Sequence, residues 1–279
     1  MSDDRILNLA VFGDIHGGCK MGLMPREGFV LDEGNTVMPS RWQLTMADWW
    51  DEYWNEFVPF ATNGEPFAAI NMGDSIDGVH HRATTPITHN IKDQIRLAEQ
   101  VLRPVVERCG GRYYHIRGTE AHVGQSAEHE EALAKMLGAI QGPDGQYSRW
   151  KLNLQMGSHR LNFMHHIGTA SSPFAKSGAL QRLAVRALIE AAKRGVKPYS
   201  MLVRGHRHIH GAVTEHAQVG RITVVTTPAW QGKTGFIWSK DGLQMDDPEC
   251  GGIVIRLVGE ELFFREFIRR PEQEADEII

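Results

Sequence analysis

Nowhere in the 279 residues does an apolar run reach the roughly 18 residues that a membrane-spanning helix needs, so no membrane partner is expected. A glycine-rich phosphate loop is missing too, which speaks against a nucleotide-driven kinase or ATPase. Cysteine is scarce. Cys19, Cys109 and Cys250 are odd in number and widely spaced, so no disulfide framework is expected. Cys19 follows His16 closely, but a buried thiol is the simpler reading than a metal ligand. Charge of one sign is not in excess: 34 acidic side chains stand against 30 basic ones, a formal net charge of -4. That balance does not indicate nucleic acid as a partner, although a local basic groove could still hold one, because affinity follows where charge sits. The N-terminal MSDDRILNLAVF lacks the basic start, long apolar run and small-residue cleavage site of a secretory signal, so a cytoplasmic location is expected. Internal repeats and low-complexity linkers are also lacking. The simplest organisation is one domain over 1–270, with an aromatic-rich insertion at about 17–65 and an acidic tail over 271–279. The sequence carries no sign of oligomeric state.

What is present is a recurring unit. Apolar runs at 5–12, 66–72, 112–117, 159–165 and 199–204 each deliver Asp, His or a polar cluster at their C-terminal end. An α/β fold is expected, because in such folds ligands gather outside the carboxyl ends of the strands. A strand is expected over 221–226, and a hairpin from 251–257 and 261–268. Helical spacing marks 89–108, with Pro104 expected to break or kink it near the end. It also marks 126–138, starting at Ser126 with Glu128, His129 and Glu130 in the first turn, and 177–194, stopped by Gly195. The segment WQLTMADWWDEYWNEFVPF fits one amphipathic helix capped by Thr45. Its face of Trp42, Trp49, Trp50, Tyr53, Trp54 and Phe57 is expected to be buried on the body. A substrate wall or a subunit contact are the alternatives.

Three short motifs carry the chemistry. In Gly13-Asp14-Ile15-His16, Asp14 offers a hard oxygen and His16 a borderline nitrogen. Strand alternation lets both face one ion while Ile15 points into the core. In Gly73-Asp74-Ser75-Ile76-Asp77-Gly78, Asp74 can bridge two cations with its two oxygens, and Asp77 can turn back to orient a ligand. In Gly205-His206-Arg207-His208, the two imidazoles can diverge toward neighbouring ions, and His165 and His166 form a further pair at a strand end. His166 is expected to meet substrate or support a ligand, as are Asp77 and the His80-His81 pair that follows the Asp74 turn. Core hydrogen bonding alone does not call for so many imidazoles in these positions.

In order and spacing these motifs resemble the calcineurin-like metallophosphoesterase family: Asp-x-His at 14–16, Gly-Asp-x-x-Asp at 73–77, a region at 118–122, His165, and Gly-His-x-His at 205–208. The resemblance implies a four-layer α/β/β/α sandwich with two metals at the strand ends. It implies that Asp14, His16, Asp74 and His208 hold the first ion, and that Asp74 bridges to a second one bound also by His165 and His206. The chain departs from the family in the third block. Where Gly-Asn-His is usual, it reads Gly118-Thr119-Glu120-Ala121-His122. Either Thr119 or Glu120 then replaces the Asn ligand, and Glu120 is favoured as the stronger donor. His122 takes over as proton donor.

The expected activity is two-metal-dependent hydrolysis of a phosphate ester, diester or monoester, with a bridging hydroxide as nucleophile and with Asp74 and His122 central to catalysis. Without thiolate, the carboxylate and imidazole donors suit Mn, Zn or Fe. The alternative is a metal-bound binding protein whose catalysis the altered third block has weakened.

Overall fold

The computed structural model describes residues 6–80, 83–168, 177–235 and 249–271. His81, Arg82 and residues 272–279 of the acidic tail lie outside the described residues. The chain opens with β1 (Asn8–Phe12), β2 (Phe29–Val30) and β3 (Thr36–Val37), then α1 (Arg41–Glu52), a π-helical turn (Tyr53–Phe57) and α2 (Val58–Thr62). β4 (Ala68–Asn71), α3 (Ile91–Arg108), β5 (Tyr113–Ile116), α4 (Glu120–Val123) and α5 (Glu128–Leu137) follow. Next come β6 (Ser148–Arg149), β7 (Leu152–Met156), β8 (His159–Met164), α6 (Gly178–Arg194) and β9 (Met201–Arg204). The described elements end with β10 (Gly211–Ala217), β11 (Gly220–Thr226), β12 (Cys250–Val258) and β13 (Glu261–Arg269).

The strands form two main sheets, ordered β13-β12-β1-β4-β5-β6 and β10-β11-β9-β8-β7. Alternation along β1 explains how they stack. Leu9 and Val11 join Ile70, Phe163, Val203 and Ile253 in the core between the sheets. Ala10 and Phe12 point the other way, into a core shared with Trp54, Leu97, Leu102 and Leu133 of the helices. On the far side Leu202, Ile222 and Val224 meet Ala184 and Leu188 of α6. The layers are therefore α/β/β/α, the sandwich that the motif resemblance implies. Covering both faces also explains why β1 is apolar from Leu9 to Phe12 and β4 from Ala68 to Ile70, without polar alternation. Strands β1, β4 and β5 pair in parallel, as do β8 and β9, so each set sends its C-terminal ends out along one edge. Among the described residues no helix is long and apolar enough to cross a membrane.

Three local expectations need correction. Helix α1 is capped by Ser40, not Thr45: Ser40 and Gln43 form a reciprocal capping box, and Thr45 sits one turn inside, bonded to the Arg41 carbonyl. Helix α5 starts after Ala127 in a left-handed conformation, and the Ser126 N–H is taken by the Glu128 carboxylate. Helix α3 runs through Pro104 to Arg108. Pro104 and Gln100 lie on its exposed side, where water can serve the carbonyl that loses its N–H partner.

The aromatic segment packs as a core face. Tyr53 and Trp54 are buried, and Trp54 and Trp50 meet Phe12 edge-on at 5.3 and 5.5 Å. The Tyr53 hydroxyl reaches the Val11 and Ile253 carbonyls at 3.3 and 3.2 Å, which ties this roof to the strands that carry the site.

Candidate metal centre

The first two motif loops are laced together by backbone. Asp14 N–H donates to Gly73 O at 2.8 Å, His16 N–H to Asp74 O at 3.0 Å and Gly17 N–H to Ser75 O at 3.0 Å. The later loops join through side chains and main chain alike. His206 N–H donates to Asp14 Oδ1 at 3.2 Å, Gly205 N–H to His165 O at 3.0 Å, and His165 Nδ1–H to Met72 O at 2.7 Å. Gly118 permits the third loop to close in, since a Cβ there would overlap Asp74 Oδ1 and its backbone nitrogen.

The backbone itself marks the site. Among the described residues, positive φ outside glycine occurs at Asp14, His16, Asn63, Asp74, Ala127, His206 and His208. All but Asn63 and Ala127 are expected ligands. Each such conformation costs about 1–3 kcal/mol, so together they approach the net stability of a domain, about 5–15 kcal/mol. The interlocked loops offset that cost, and the residues so held are the expected ligands, two apart at Asp14 and His16 and at His206 and His208.

Their atoms converge. His16 Nε2 lies 3.3 Å from His208 Nε2, and His208 Nε2 lies 3.4 Å from Asp14 Oδ1. His165 Nε2 lies 3.0 Å from Asp74 Oδ2 and 4.0 Å from Asp14 Oδ1. Thr119 joins the two halves. Its N–H donates to Asp74 Oδ1 at 2.6 Å, and its Oγ1 lies 3.1 Å from Asp74 Oδ2, 3.2 Å from His165 Nε2 and 3.1 Å from His206 Nδ1. His122 arrives from α4 and stacks edge-on against His16 at 4.6 Å and His80 at 4.5 Å. Its Nδ1–H donates to the Asp77 carbonyl at 2.6 Å. A carbonyl only accepts, so Nδ1 carries the hydrogen in both His122 and His165, and Nε2 is the working nitrogen of each.

Charge follows from this packing. Burial is the largest influence on the Asp14 and Asp74 carboxyls and raises both, but the surrounding imidazoles together, His165 foremost, outweigh it, and both stand below the ordinary range, Asp74 well below. Burial likewise disfavours the His165 imidazolium, yet Asp74 and Asp14 push it up to about 10. His206 is brought down to about 4 by burial and then by His165. His16 is lowered by burial and by His122. Two fully buried carboxylates facing a ring of imidazoles, with no thiolate among them, fit a divalent cation.

Glu120, favoured as the replacement for Asn, is not in this group. It opens α4 with its side chain exposed, and Thr119 points inward instead. The physical reason is that Thr119 commits both its N–H and its hydroxyl to the centre, which turns the next residue of a new helix outward. His166 lies beside His165 and His206, and Asp77 and His80 lie beside His122. Cys19 is buried and engaged with Met21 and Gln231, outside every such ligand group among the described residues. Burial pushes its thiol up to about 12.

Sequence reasoning missed Glu130. Fully buried on α5, its carboxylate accepts the N–H of Ser75 at 3.0 Å and of Gly118 at 2.6 Å, the residues next to Asp74 and Thr119. Its only signal in the sequence is a carboxylate at a helix position that faces the core.

No family model matches the chain, and no curated protein matches its sequence. Among solved structures, the chain is similar to a conserved uncharacterized protein of Streptococcus pneumoniae described as a predicted phosphoesterase. That match has 13% identity and a TM-score of 0.35, and covers 94% of this chain and 98% of the other. It is similar to vacuolar protein sorting 29 of Cryptosporidium parvum, with 12% identity, a TM-score of 0.37, and 94% and 98% covered. It is also similar to a metallophosphoesterase of Sphaerobacter thermophilus, with 11% identity, a TM-score of 0.37, and 95% and 90% covered. Likenesses this distant say nothing about the reaction, which has to be read from the side chains.

Proposed function

We propose that this chain hydrolyses a phosphate ester with two divalent cations held at the ends of its central strands. The observation that carries the reading is the convergence of Asp14, His16, Asp74, His165, His206 and His208 from the loops after β1, β4, β8 and β9. One cation would be held by Asp14, His16 and His208 together with Asp74, and the other by Asp74, His165 and His206. Divalent cations supply Lewis acidity, polarising phosphoryl oxygens and lowering the pKa of water.

The chain's own groups do the rest. Thr119 holds both oxygens of the Asp74 carboxylate, so the bridge cannot rotate freely. Asp77 fixes His122 through its carbonyl and, with Oδ1 at 3.5 Å, faces His16 Nδ1. In the reaction water adds to phosphorus, the ester P–O bond breaks, the leaving alkoxide takes a proton from Nε2 of a doubly protonated His122, and the proton released by the attacking water restores that ring. His80 stands next to His122, with ring centroids 4.5 Å apart. The same reading takes residues 1–270 as one domain.

A second reading, a metal-holding protein with little turnover, draws on one observation: Thr119 and Glu120 stand where the resembled family carries Asn and His. The test is a panel of aryl phosphate mono- and diesters assayed with chelator-treated protein reloaded with Mn, Zn, Fe or Mg. The proposal expects metal-dependent release of the aryl alcohol. Full metal loading without turnover on any ester would favour the second reading.

A further inference from the structure

We infer that His166 is a third imidazole ligand of the second cation, making that site His165-His166-His206 with Asp74. The inference rests on the two-cation reading above.

It starts from a shortage of donors. With Thr119 in place of Asn, the second site is left with Asp74, His165 and His206 as strong donors. A neutral hydroxyl is a poor ligand, and that of Thr119 is already shared among Asp74 Oδ2, His165 Nε2 and His206 Nδ1. Glu120 faces away. His166 offers a ring nitrogen that lies within 4.8 Å of those of His165 and His206.

The ring geometry is more specific than proximity. The centroids of His165, His166 and His206 form a nearly equilateral triangle with sides of 5.0, 5.1 and 5.2 Å. With zinc to nitrogen about 2.1 Å and the ring centre roughly 1.1 Å further out, three imidazoles around one tetrahedral ion have centroids about 5.2 Å apart. Packing of aromatic rings alone tolerates any separation from about 4.5 to 7 Å, so it gives no reason for three equal sides. The rings are also steeply inclined to one another, at 85°, 64° and 69°, so they are not stacked.

The consequence is an unequal pair of sites. The first would have two carboxylates and two imidazoles, the second one shared carboxylate and three imidazoles. Nitrogen-rich coordination favours zinc over magnesium or manganese, so the second site should select zinc.

Calorimetric titration of the chelator-treated full-length chain with Zn(II), beside H166A and H166Q, tests this, with Co(II) absorption as a second readout. Wild type should take two equivalents. H166A should lose on the order of tenfold or more in affinity at the second equivalent only, and its second-equivalent Co(II) spectrum should shift. Because His166 is exposed, both variants should melt like wild type without metal. An unchanged second equivalent in H166A and H166Q overturns the inference and leaves the two-cation reading standing. A wild-type chain that accepts no second equivalent overturns that reading and the inference with it.

Discussion

Glu130 Oε2 accepts the backbone N–H of Gly118 at 2.6 Å, while its other oxygen accepts that of Ser75, so one buried carboxylate sets the spacing of two metal-bearing loops. E130Q keeps the shape but presents an NH2 to one of these donors. It should lower stability by about 1–3 kcal/mol and loosen metal binding, because Thr119 and Asp74 would lose their fixed separation. Melting and metal titration of E130Q against wild type measure both. Unchanged metal affinity would show that the clamp serves folding alone.

Asp74→Asn should damage the centre more than Asp77→Asn. Asp74 is the proposed bridge and carries the contacts of Thr119 and His165. Asp77 instead faces His16 Nδ1 and His80 from behind. After dialysis, metal analysis should find less of both ions in D74N, whereas D77N should retain both and lose turnover. Wild-type metal content in D74N would contradict the bridge.

Trp54 is 3% exposed and wedged against Phe12 and Tyr53. Trp54→Ala should cost about 3–5 kcal/mol of stability and leave the KM for a small aryl phosphate unchanged. A selective rise in KM with unaltered melting would instead make this segment a substrate wall.

The cysteines should be silent. All are free and buried, and burial pushes the Cys19 and Cys250 thiols up to about 12. A thiol reagent at neutral pH should label none in the native chain and all three after unfolding in denaturant. Rapid native labelling at Cys19 would mean that the loop beside His16 opens.

Much of this was legible because the central strands are apolar runs that end in chemistry. Burial on both faces writes β1 and β4 into composition, and the ligands follow at once. The half-exposed edge strands β7 and β10 carry no such signature and were not read. The cap of α1 is legible in Ser40 and Gln43, whose spacing is that of a capping box, whereas Thr45 lies one turn inside the helix. Glu120 misled because donor strength is a property of the residue, whereas direction is set by the fold: α4 begins there, and Thr119 has already turned inward. Nor does any residue-level pattern announce that Asp14, His16, Asp74, His206 and His208 adopt left-handed backbones. That follows only from loops pressed against one another.

A pair of cations sharing Asp74 would be visible by anomalous diffraction from crystals of the chain soaked in Mn(II). Two peaks are expected, one among Asp14, His16 and His208 and one beside His165 and His206, both in contact with Asp74. A single peak at saturating metal, with His206 remote from it, would rule the shared pair out.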